Sequence, residues 1–196
     1  MGNQEQRTVT IKSGMNPTGI PFRLLLPPLV AMALVIVLSN ELVQHPINDW
    51  LTWGAISYPI AFLVTDTTNR LLGTKNARWV VALGFVIGVA LSLLVDVRIA
   101  IASGSAFLVA QMLDISVFNQ LRRAVWWKAP LVSSVIGSAV DTALFFSLAF
   151  AGTGLPWITW AWGDFGAKLF MAATLLPVFR LIVTYYPARL RLEEPA

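Results

Sequence analysis

Cysteine is absent from the 196 residues, which excludes disulfides, thiolate nucleophiles and cysteine-based metal sites. His45 is the single histidine, so a histidine-rich metal site or a histidine proton relay is excluded as well. Charge is scarce. Asp, Glu, Lys and Arg together make up 12% of the chain, about half the share of an ordinary soluble domain. The strict alternation of a membrane β-barrel strand is missing. No internal repeat is visible, and with it goes any sequence sign of an inverted-repeat transporter. The N-terminal stretch MGNQEQRTVTIKSGMNPTG shows no cleavage-site pattern and reads as a cytoplasmic tail. Gln6 stands where N-myristoylation requires Ser or Thr.

What remains is apolar. Hydrophobic residues are 57% of the chain, and the mean hydropathy is +0.70. Several runs are long enough to cross a hydrocarbon core of ~30 Å. We place six spans, at about 21–42, 52–71, 77–95, 99–121, 129–151 and 163–186. The basic residues then sort to one side. Arg7, Lys12 and Arg23 precede the first span; Arg70, Lys75 and Arg78 fall between the second and third. Arg122, Arg123 and Lys128 fall between the fourth and fifth, and Arg189 and Arg191 follow the sixth. The loops on the other side hold only Arg98. Positive charge marks the cytoplasmic side, so both termini are expected there. The expected organisation is a tail over 1–20, one six-helix transmembrane domain over 21–187 and a tail over 188–196. The pI near 9.9 is explained by these loops, and direct nucleic-acid binding is not expected.

Some details of the spans carry expectations of their own. Pro27-Pro28 should end or kink the first helix. Pro59 and Pro177 lie inside the second and sixth spans, where neighbouring helices can satisfy the freed carbonyls. Gly84, Gly88, Gly104 and Gly137 are expected to let helices approach closely. Eight tryptophans fall at the span ends, mostly as an aromatic belt.

The few polar residues inside the spans are the informative ones. A carboxylate at the bilayer centre costs about 2.5–3.5 kcal/mol on insertion scales. Asp141 lies some twelve residues into the fifth span, roughly 18 Å at 1.5 Å per residue, which is near the midplane. Ser134, Ser138, Asp141 and Phe145 share one helix face, with Thr142 at its border. Gln111, Asp114 and Phe118 share a face of the fourth span. Gln111 is at similar depth to Asp141, and the two together favour a ligand or ion site over simple helix glue. Asp66 and Arg70 are one turn apart at the end of the second span, as a structural salt bridge or a coupling pair. Asp164 and Lys168 are spaced i, i+4 in the sixth span. Lys168 can pair with Asp164, reach Asp141 or snorkel outward.

Catalysis is hard to assemble from these groups. No cysteine or intramembrane histidine is present to serve as base or metal ligand. An aspartyl intramembrane protease built on Asp114 and Asp141 would lack its glycine-rich surroundings. No enzyme activity, cofactor or metal is therefore expected. One polar cluster inside a compact helical bundle suits carriage of a small polar solute.

Four stretches, 39–73, 106–122, 129–146 and 164–177, carry a resemblance to a known family. They contain Gln111-x-x-Asp114-x-x-x-Phe118 and Ser133-x-x-x-Gly137-x-x-x-Asp141-Thr142-x-x-Phe145-Phe146. The chain resembles the queuosine precursor transporters, also called the VUT or vitamin uptake family, over about residues 30–180. The resemblance implies import of 7-cyano-7-deazaguanine, 7-aminomethyl-7-deazaguanine or queuine across the bacterial inner membrane, for tRNA modification. It also implies an all-α bundle related to the six-helix substrate-binding subunits of energy-coupling-factor transporters. Those subunits need an ATPase module, so an ATP-driven vitamin or purine importer is the alternative. Surrounding lipid is the other expected partner, and a homodimer is left open.

A guanine-like edge presents N1–H and an exocyclic amine side by side, and one carboxylate accepts both. The expected reader is Asp141 or Asp114. Gln111, Lys168, Asn40 and the hydroxyls of Thr142, Ser138 and Ser134 would supply the remaining polar contacts. Phe145, Phe62 and Trp53 are the candidate faces for a flat ring.

Overall fold

The computed structural model describes residues 20–94 and 96–185. The two tails expected at 1–20 and 188–196 therefore lie outside the described residues, apart from Ile20. Seven helices account for nearly all the rest: α1 (Phe22–Leu42), α2 (Gly54–Ser57), α3 (Pro59–Leu72), α4 (Thr74–Ser92), α5 (Val97–Leu121), α6 (Lys128–Phe150) and α7 (Trp157–Tyr185). No strand occurs among the described residues, only an isolated bridge between Pro46 and Thr52. Five helices, α1, α4, α5, α6 and α7, are long and apolar enough to cross a membrane.

The second expected span is the exception. It is divided into α2 and α3, which meet at Tyr58. Pro59 has no N–H to continue a ladder and takes the first position of a new helix instead. At 14 residues α3 spans about 21 Å, short of the ~30 Å core. Pro27 and Pro28 behave otherwise. They lie inside α1, which runs on through them, so of the two expected outcomes, an end or a kink, the end does not occur. They fall in its second turn, where few backbone bonds are lost. Helix α7 begins six residues before its expected start, so Trp157, Trp160 and Trp162 ride on its first turns.

Helix pairs close where side chains are small. A Cβ on Gly84 or Gly88 of α4 would run into Met32 or Ile36 of α1. One on Gly104 would meet Val89, and one on Gly137 would meet Phe62. These four glycines let helices approach closely, as expected. The main core joins Met32, Ile36, Phe62, Val80, Val81 and Phe107 from four helices. A second cluster packs Phe145, Phe146 and Phe150 of α6 against Ile99, Ala102 and Ala106 of α5. Helix α7 is held more lightly. Only Asp164, Lys168 and Phe179 are buried along its 29 residues.

The two ends of the bundle are tied differently. At the end bearing Arg70 and Arg122, the α3–α4 and α5–α6 connections are laced together. Arg122 Nη2 donates to the carbonyls of Asn69 (2.8 Å) and Arg70 (3.0 Å), and Arg70 Nη1 donates back to the Arg122 carbonyl (3.0 Å). Partial burial and the neighbouring Arg70 charge pull the Arg122 guanidinium below its ordinary pKa. At the opposite end Arg98 donates to the carbonyls of Leu148 and Ala151, closing the C-terminus of α6.

Candidate functional site

Among the described residues, two clusters of buried carboxyl groups are built on opposite principles. The first is centred on Lys168 of α7, which is 2% exposed. An ammonium has three donors, and here all three are used. Lys168 Nζ donates to Asp141 Oδ2 at 2.8 Å and Thr142 Oγ1 at 3.0 Å, and pairs with Asp164 Oδ2 at 2.6 Å. The Thr142 hydroxyl in turn donates a hydrogen bond to Asp164 Oδ2 at 2.8 Å. The second oxygen of Asp141 accepts from the Tyr58 hydroxyl at 2.9 Å. The ammonium also sits 5.0 Å from the centre of the Tyr58 ring, within cation–π range. Two helices, α6 and α7, and the α2–α3 break thus converge on one carboxylate.

This cluster separates two small cavities, and Lys168 lines both. One lies toward the far ends of α1 and α6 and is lined by Asn40, Tyr58, Ser103, Asp141, Phe145 and Asp164. The other lies toward the arginine-laced end and is lined by Phe62, Asp66, Ser134, Ser138 and Phe179. Each has a volume of about 20 Å³, room for a water or two. Larger grooves of about 220–450 Å³ are mostly apolar; one of them, between α6 and α7, reaches Thr142 at the edge of the Lys168 cluster. Within the first cavity the Ser103 hydroxyl is buried and has no hydrogen-bond partner. Asn40 donates to Ser92 Oγ at 2.8 Å.

The second cluster contains no cation. Asp66 of α3 accepts from the hydroxyls of Ser133 (3.4 Å) and Ser134 (3.3 Å) on α6. Asp114 of α5 faces Asp66, and the Ser133 hydroxyl lies near both carboxyl groups. Asp114 is fully buried, and neither of its oxygens has a donor within hydrogen-bond geometry. One turn away, Gln111 Oε1 accepts from Thr65 at 2.6 Å while its Nε2 has no acceptor.

These placements bear on family membership, because the motif residues of α5 and α6 are the ones gathered inside. Residues 52–97 and 93–182 match the family described as "Putative vitamin uptake transporter". The chain belongs to this family. It is similar to the "Probable queuosine precursor transporter" of Haemophilus influenzae, 32% identical over 79% of this chain and 80% of that protein. It is equally similar to the "Queuosine precursor transporter" of Escherichia coli, 32% identical over 80% of this chain and 85% of that protein. No solved structure matches. The vitamin uptake family and the spanning helices together make the chain a multi-pass transporter of the bacterial inner membrane.

For a vitamin uptake family member, the expected site residues divide. Asp141, Lys168 and Thr142 are brought together, with Asn40 and Phe145 around the first cavity and Ser134, Ser138 and Phe62 around the second. Gln111 and Asp114 are buried but belong to the cation-free cluster, not beside Asp141. Trp53 is 51% exposed and lines neither cavity. The expected ion pair between Asp66 and Arg70 does not form; the serines hold Asp66, and Arg70 turns to the Arg122 carbonyl. Two residues were not expected at the centre. Asp164 was read only as a local partner of Lys168. Tyr58 was missed, although a phenol directly before an intramembrane proline marks a break that can aim it inward.

Proposed function

We propose that the chain imports queuosine precursors, 7-cyano-7-deazaguanine, 7-aminomethyl-7-deazaguanine or queuine, and that Asp141 reads the donor edge of the deazapurine. The observation that carries this reading is the Asp141 carboxylate itself. It is buried, it borders a cavity, and its two oxygens are held by groups a ligand can replace, Tyr58 and Lys168. A deazaguanine offers N1–H and its exocyclic amine to those oxygens, and its carbonyl accepts from the displaced ammonium. The unpartnered Ser103 hydroxyl and the Asn40 amide supply further polar contacts, and Phe145 supplies a ring face. A bicyclic base is far larger than the cavity, so this conformation is the closed one and α7 moves aside for entry. In this reading α2 and α3 act as a sixth crossing, both termini are cytoplasmic, and the arginine-laced end faces the cytoplasm; the basic loops support it.

The test is thermal stabilisation of the detergent-purified protein by the three precursors, with guanine and adenine as comparisons. A concentration-dependent rise in Tm is expected for the deazaguanines and its loss in Asp141→Asn. Absence of any shift would remove the substrate assignment. Liposomes containing only this chain should take up labelled precursor. A strict requirement for an added ATPase would replace the carrier with a capture subunit of an energy-coupling-factor-like complex.

A further inference from the structure

The Asp66–Asp114 pair has no role in the precursor reading, and its chemistry differs from that of the Lys168 cluster. Two carboxyl groups from different helices face each other inside the bundle. Two ionised carboxylates repel, and neither can donate to the other. They make a stable contact only when a proton lies between them, one group then donating as the acid. Among the described residues, nothing else in the surroundings balances them. On α6 the facing groups are the neutral hydroxyls of Ser133 and Ser134. On α7 Lys168 lines the same cavity as Asp66, but its donors are taken by Asp141, Asp164 and Thr142. On α3 Arg70 is committed to the Arg122 carbonyl. On α4 Lys75 and Arg78 are exposed, as are Arg23 and Glu41 at the two ends of α1.

Two further observations mark the place as made for an occupant. Both oxygens of Asp114 are buried without a donor, and its Cβ lies close against Gly137 of α6, four residues from Ser133. The adjacent Gln111 Nε2 is also buried and has no acceptor. Asp66 borders the cavity that leads toward the arginine-laced end, so one member of the pair has a route for exchange and the other does not.

We propose that Asp66 and Asp114 form a proton-binding site that couples precursor import to inward proton flow. One proton is held between the two carboxyl groups, given up through the Asp66 side as carboxylic acid becomes carboxylate, and restored in the next cycle. One proton moves with each precursor. The coupling rests on the proposed precursor transport, whereas the proton site does not.

The experiment has two arms. In the first, infrared spectra of the purified protein are recorded across pH without substrate. A protonated-carboxyl stretch that titrates is expected in the wild type, lost in Asp66→Asn and in Asp114→Asn, and retained in Asp114→Glu. A wild type without such a band, or a band that survives both Asn variants, overturns the site. In the second arm, liposomes clamped at zero membrane potential are given neutral 7-cyano-7-deazaguanine. One pH unit, acid outside, should support up to about tenfold accumulation for one proton per molecule. Both Asn variants should equilibrate the precursor without concentrating it, and Asp114→Glu should restore accumulation. Uptake that ignores the pH gradient, or that follows a sodium gradient instead, overturns the coupling and leaves the precursor reading intact. Absence of all precursor uptake and binding removes the precursor reading and the coupling together, while the infrared arm still decides the proton site.

Discussion

The Lys168 cluster and the Asp66–Asp114 pair place carboxylates at comparable burial, yet they are balanced in different ways. In the first, one ammonium and one phenol answer two carboxylates, and every donor of the lysine is used. In the second, two carboxyl groups share two long serine contacts and no cation. The comparison teaches that buried charge in this bundle is not uniformly structural. One cluster holds its neighbours in place through a cation, and removing that cation strands two charges. The other is incomplete with the protein's own groups, and removing one carboxylate relieves it.

The sharpest way to break this contrast is Lys168→Met. It leaves Asp141 and Asp164 buried without their cation, and a loss of about 3–5 kcal/mol is expected, read from thermal unfolding in detergent. A variant as stable as the wild type would mean the lysine is no keystone. Tyr58→Phe removes one hydrogen bond to Asp141 and should cost about 1.5–3 kcal/mol in the same assay, with no change in helix content. Asp114→Asn should move the other way. Its amide donates to Asp66, and a gain of about 1 kcal/mol is expected; a loss as large as that of Lys168→Met would erase the distinction between the clusters. Trp53→Ala sets the floor. Half-exposed and away from both cavities, it should change stability by less than about 0.5 kcal/mol and leave precursor-induced stabilisation as it was.

The helices were legible because the signal is local. Apolar length and basic loops located α1, α4, α5 and α6 to within a few residues, and the glycines marked close helix approaches without showing which helices would meet. The Asp164–Lys168 pair was legible for the same reason, being one turn apart on one helix. What was not legible depends on how helices are rotated against one another. Gln111 and Asp141 lie at similar depth in sequence, but the α5 face bearing Gln111 turns toward Thr65 and Asp66. Asp66 and Arg70 satisfy the i, i+4 rule, yet a buried serine pair on α6 competes for the carboxylate and an orphan carbonyl at Arg122 competes for the guanidinium. Tyr58 depended on the break before Pro59, which periodicity reads as continuous helix.

Helix α7 has a further consequence. Its 29 residues extend to about 44 Å, well beyond a hydrocarbon core of ~30 Å. Such hydrophobic mismatch is relieved by tilting, and less so in a thicker bilayer. Helix α7 is buried at Asp164, Lys168 and Phe179 and only half-buried along much of its remaining length, so its lean answers to the lipid as well as to its neighbours. Bilayer thickness is therefore a lever on the one helix that carries the lysine, and acyl-chain length becomes a control parameter for how the Lys168 cluster is held.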